Sequence, residues 1–143
     1  MNNKHSILIV DDEAIVRDSL SKWFTEDGFT IGTAENAPSA LRQLQTRKWD
    51  IILLDIRPVS YLADFFVICS GDSERQVKAI IESIAETLRG EGRRPVHSEG
   101  SSPSGWVLLD YGDLVVHVFA PQTRDYYQIE KLWADATPEL RIQ

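Results

Sequence analysis

The sequence predicts an α/β protein: a single three-layer domain built on a mixed, mainly parallel sheet. Three observations predict it. Residues 6–10 and 49–56 are almost unbroken aliphatic runs closed by acids, the composition of strands buried on both faces. Between them apolar residues recur at helical spacing, and strand–helix alternation at that interval implies right-handed βαβ crossovers and a parallel sheet. Near the carboxyl end, two strand-like runs flank Tyr111 and Gly112, the pattern of a tight antiparallel hairpin.

Taken in order, residues 6–10 form the first strand. Val16, Leu20, Trp23 and Phe24 then line one face of a helix over 13–26, which Gly28 stops. A short β-prone run over 29–33 follows, and Asn36 or Ser39 caps a second helix that turns Ala40, Leu41 and Leu44 inward. The strand at 49–56 has the strongest aliphatic character. Residues 59–64 make a short connection, and 65–69 form another buried strand, broken by Ser70, Gly71 and Asp72. Ser73 with Gln76 resembles a capping box at the start of a helix whose stripe is Val77, Ile80, Ile81, Ile84 and Leu88. That helix ends near Gly90 or Gly92. A short strand near Val96, a Gly/Ser/Pro loop over 100–105, strands over 106–110 and 114–119, and a closing helix over 123–133 complete the chain, with a tail at 137–143. The expected order of the first strands is 2-1-3-4. Tyr126, Tyr127 and Trp133 are expected to pack on the sheet.

Composition narrows the function classes. The 143 residues carry a net charge of -7, which argues against direct nucleic-acid binding, since phosphate affinity comes from Lys and Arg. A basic protein partner suits such a surface. The one cysteine, Cys69, excludes an internal disulfide and any Cys/His zinc cluster. The start lacks the apolar core of a signal peptide, and no run reaches membrane-spanning length. A cytoplasmic location is expected. Cys69 and Ser70 end a buried strand with no His–acid pair placed to activate them, so no enzyme activity is expected.

Two stretches resemble known families. SILIVDDEAIVRDSLSKWFTEDGF, followed by WDIILLDIRP, resembles the receiver domain of response regulators, with its flavodoxin-like fold, over residues 1–58. That resemblance implies that Asp11, Asp12, Asp55 and the carbonyl of Arg57 hold a metal ion and that Asp55 is a vestigial phosphoacceptor. Three carboxylates at strand ends concentrate negative charge that a hard cation such as Mg2+ would relieve. The alternative is that Asp11 and Asp12 cap the following helix. Ser70 would take the family's switch position. No lysine stands where the phosphoryl group would need one, so a working switch is not expected.

The second stretch is DIILLDIRPVSYLADFFVICSGDSERQVKAI, with RPVHSEG and GWVLLDYGDLVVHVFAPQTRDYYQIEKLWADA. It is similar to the ribosomal silencing factor (Iojap) family over about 50–136. This resemblance implies a non-enzymatic protein that binds a large-subunit ribosomal protein and blocks subunit joining. It implies a surface of Trp106, Leu109, Asp110, Tyr111, Asp113 and His117. Trp106 could equally be half-buried packing, and His117 a satisfied core histidine.

Because 50–56 satisfies both patterns, the expectation is one chimeric domain, receiver-like over 1–58 and silencing-factor-like over 59–136. The expected origin is engineering, as a scaffold without selected function. Ribosome docking, and a Mg2+-dependent phosphoacceptor, are the alternatives. No cofactor is required, Mg2+ being the one the acids would accept; no membrane is involved, and monomer and homodimer both stay open.

Overall fold

The computed structural model describes residues 5–58 and 63–136. The expected tail lies outside the described residues, as does most of the expected connection before Asp64. Seven strands form one sheet: β1 (Ser6–Val10), β2 (Thr30–Ala34), β3 (Ile51–Asp55), β4 (Phe65–Ser70), β5 (His97–Glu99), β6 (Trp106–Asp110) and β7 (Leu114–Phe119). Their order is β2-β1-β3-β4-β7-β6-β5, which contains the expected 2-1-3-4. Among the described residues five α-helices accompany them, α1 (Ala14–Glu26), α2 (Ala37–Thr46), α3 (Glu74–Gly90), α4 (Pro121–Tyr127) and α5 (Ile129–Ala136), with a 3-10 turn over Ser102–Ser104.

Strands β1, β2 and β3 are mutually parallel, and β4 runs parallel to β7, whereas β3–β4, β5–β6 and β6–β7 are antiparallel. The reversal at β3–β4 follows from the chain between them, because a parallel return needs a crossover of about a dozen residues or more. Strand β3 lies inside the sheet, flanked by β1 and β4.

Period-two alternation sends side chains to two cores. On one face Leu8, Val10, Ile52, Leu54, Ile68 and Phe119 meet Ala37 and Ala40 of α2 and Trp133 of α5. On the other, Val107, Leu109, Tyr111 and Val118 pack against Val77, with Ile80, Ile81, Ile84 and Leu88 of α3 around them. Asn36 Oδ1 accepts from Ser39 N–H and Ser73 Oγ from Gln76 N–H, but the expected capping box closes only in half, since the Gln76 side chain accepts from Asp72 N–H rather than from Ser73 N–H. Trp49 donates its indole N–H to the Gln43 carbonyl at 2.9 Å. Its ring lies so close to Gly32 that a Cβ there would come within 2.4 Å of it.

Three expectations need correction. Trp23 does not turn inward but is 64% exposed, because α1 packs toward β1 and β2. A groove of about 560 Å³, lined by Ile9, Leu53, Phe65, Val67 and Trp23, is left beside it. The closing helix is two helices, divided at Gln128, whose φ of 45° is left-handed. Tyr126 and Tyr127 stay at the surface, and of the three expected aromatics Trp133 alone is buried.

Candidate functional site

Two places gather chemically distinctive side chains. The first is the end of β6 and β7 nearest α4. Trp106 opens β6 directly after Gly105, and register places it opposite Phe119. Its ring stacks on Phe119 at 4.9 Å and leans on Tyr127 at 4.8 Å between centroids. Its indole N–H donates to His117 Nδ1 at 3.2 Å. A tryptophan held by stacking and by its one donor has little rotamer freedom left to lose on binding.

His117 is 4% exposed and Phe66 lies edge-on to it at 4.5 Å. Because Nδ1 accepts from Trp106, Nε2 is the protonated nitrogen of the neutral ring, and it is buried without a hydrogen-bond partner. Burial pulls the imidazole from 6.5 down to about 4. The unfolded chain therefore binds a proton that the folded one refuses between those pH values, so stability is full above the unfolded pKa and falls as pH drops toward the folded one. The span corresponds to about 3 kcal/mol. Urea titrations between pH 4 and 7 should show this slope, and His117→Phe should flatten it; an equal slope in both proteins would refute the assignment.

The six expected partner-binding residues do not share one face. Trp106 and Asp110 point to one side of β6, with His117 beside Trp106. Leu109 and Tyr111 point to the other and are buried under α3. Asp113, in the turn, pairs with Arg93, which also donates to the Tyr111 carbonyl. The Arg93 hydrogen bond holds the Asp113 carboxyl below its usual range.

The second place is the end of β1 and β3. Asp11, Asp12 and Asp55 each bring a carboxylate oxygen to within 4.8 Å of the others. Asp11 is 2% exposed; its Oδ1 accepts from Glu13 N–H, whereas Oδ2 is buried without a partner. Desolvation raises its pKa, opposed by the Glu13 hydrogen bond. The Arg57 guanidinium, on the residue whose carbonyl was expected as a ligand, contacts both Asp55 oxygens, at 2.9 and 2.6 Å, and reaches Glu13 at 3.3 Å. Ser70 cannot serve as the switch residue. It ends β4, which runs antiparallel to β3 with Phe65 opposite Asp55, so it lies about 17 Å away at the other edge. There its Oγ accepts from Arg124.

With this geometry in place, comparison with known proteins decides the kinship. The family described as ribosomal silencing factor during starvation matches residues 30–143. The chain belongs to that family. Ribosomal silencing factor from Bacillus subtilis is 46% identical over 90 residues, covering 63% of this chain and 76% of that protein. A crystal structure of a Chromobacterium violaceum protein is similar at 42% identity, covering 73% of this chain and 88% of that one, with a TM-score of 0.58.

These findings overturn the chimeric reading. The family match begins at residue 30, inside the segment assigned to a receiver, and runs through the expected seam. A Vibrio cholerae chemotaxis response regulator is similar over 41% of this chain with a TM-score of 0.38, which carries no argument for a receiver parent. An engineered scaffold without selected function is likewise set aside, since the relatives are ribosomal silencing factors.

Trp106, Asp110 and His117 were legible as candidates; Tyr127 was expected only to pack on the sheet, and Phe119, which the register places opposite Trp106, was not singled out. The signal was present: register across a hairpin pairs its first residue with its last.

Proposed function

We propose that this protein is a non-enzymatic translational silencer that docks, in the cytoplasm, on a basic protein of the large ribosomal subunit. The observation that carries the reading is Trp106, half-buried at the surface and fixed by Phe119, Tyr127 and His117. A rigid aromatic on an acidic protein is what a hot spot against a basic partner requires. Asp110 lies on the same face, and Leu109 and Tyr111 act from beneath by fixing β6.

Pull-down of purified large subunits tests this. Trp106→Ala should weaken capture about 30-fold or more, a hot-spot effect. Failure of the wild-type protein to retain large subunits would overturn docking.

A second reading concerns the acid cluster. The partnerless, buried Oδ2 of Asp11, among three converging carboxylates, favours a divalent cation held by Asp11, Asp12 and Asp55. Oxygen donors alone suit Mg2+ or Mn2+, and Arg57 already neutralises part of the charge on Asp55. Millimolar Mn2+ should broaden amide resonances around residues 11–13 and 55–57, and Asp11→Asn should remove the effect. Unchanged spectra in the wild-type protein would dismiss the site.

A further inference from the structure

We propose that the pocket beside Trp106 receives a lysine or arginine side chain of the docking partner, with Glu99 as its counter-charge. The inference rests on the docking reading and names the chemistry that the surface would select. The pocket has a volume of about 380 Å³, and its walls include Glu99, Ser104, Trp106, Leu108, Thr123 and Tyr127.

Its polar groups are arranged to accept rather than donate. Ser104 Oγ is engaged within its own turn, donating to the Ser101 carbonyl at 2.7 Å and accepting from the Ser101 N–H at 3.2 Å, so it presents no free donor. Thr123 Oγ1 is committed to the carbonyls of Gly105 and Ala120. A hydroxyl whose hydrogen is already spent on a carbonyl offers an incoming group only lone pairs. Glu99 adds a formal negative charge: His97 Nε2 meets its Oε1 at 2.7 Å, and among the described residues no donor meets Oε2. Among the described residues lining the pocket, none is basic.

The remaining walls suit the rest of such a side chain. Trp106 and Tyr127 line the pocket, and aromatic rings attract a cation through the ring quadrupole. Leu108 offers apolar surface to the methylene stem, the mode in which long basic side chains pack. Tyr126, 81% exposed, stands edge-on to Tyr127 at 5.0 Å. Gly100 keeps the floor close: a Cβ there would lie 2.1 Å from the Trp106 carbonyl, and its φ of +85° is left-handed. The pocket therefore joins two aromatic residues to the Glu99 carboxylate, with no basic residue among its described lining, a combination that favours a flexible basic side chain over an acidic one.

The test uses the full chain in two measurements. In large-subunit pull-downs, Glu99→Gln and Tyr127→Leu should each weaken capture about tenfold, and Glu99→Gln should also lessen the loss of binding with added salt. In the second, N-acetyl-lysine amide should shift the Trp106 indole N–H resonance in the wild-type protein but not in Glu99→Gln. Capture that both substitutions leave at wild-type strength, while Trp106→Ala abolishes it, would overturn the cation pocket and leave docking intact. No capture by the wild-type protein, with the lysine amide still shifting Trp106 in a Glu99-dependent way, would overturn docking and uphold the pocket. Absence of that shift would overturn the pocket directly.

Discussion

Replacing Arg124 with methionine is expected to lower the unfolding free energy by about 4 kcal/mol. Arg124 projects from α4 and is 4% exposed. Its guanidinium donates to the carbonyls of Trp49 and Asp50 and to Ser70 Oγ. One side chain therefore ties the helix after β7 to the entry of β3 and the exit of β4. Burial lowers its pKa, and the neighbouring Glu130 opposes that shift. Glu130 is itself 8% exposed with Oε1 lacking a partner, so loss of Arg124 strands a buried carboxylate as well as two carbonyls. Methionine fills much of the volume but supplies no donor. Arg124→Lys, a point charge without the planar fork, should recover only part of the loss. Urea denaturation of the three proteins decides the matter: a methionine variant within about 1 kcal/mol of wild type would show that water replaces the guanidinium without penalty.

How much of this was legible in the sequence depends on how local the determining interaction is. Strand β1, helix α3 and the β6–β7 hairpin were readable because their signals lie within a few residues: an aliphatic run, a Ser73–Gln76 cap before a regular stripe, and a Tyr-Gly turn. The division between α4 and α5 carries no such mark. Gln128 is neither glycine nor proline, and its left-handed backbone is imposed by surroundings that include the Gln128 N–H to Arg124 carbonyl bond at 2.9 Å. The exposure of Trp23 was hidden for another reason. Helical spacing identifies an apolar stripe but not how far over the sheet the helix is placed. At the site, alternation along β6 already separates Trp106 and Asp110 from Leu109 and Tyr111, so treating all six residues as one surface overlooked information the sequence held. The clamp of Arg57 on Asp55 was beyond it, since residues two apart past a strand end have no fixed orientation.

Phe119→Ala should lower stability by about 4 kcal/mol, the range for deleting a fully buried aromatic, and should also impair docking while the chain is still folded. Phe119 has no exposed surface. It ends β7 directly opposite Trp106, supports that ring from below, and stacks with His117 at 6.3 Å. Removing it opens a cavity under the tryptophan, so the indole gains alternative rotamers and must be re-ordered on binding. Phe119→Leu separates the two effects. The aliphatic side chain refills most of the cavity and should restore most of the stability, but it cannot restore the ring stack, worth about 1 kcal/mol beyond its area. Denaturation midpoints read the first effect, and large-subunit capture below the unfolding transition reads the second. If the leucine variant regains both in equal measure, the stack contributes nothing to holding Trp106, and the preorganised aromatic on which the docking surface depends loses its physical basis.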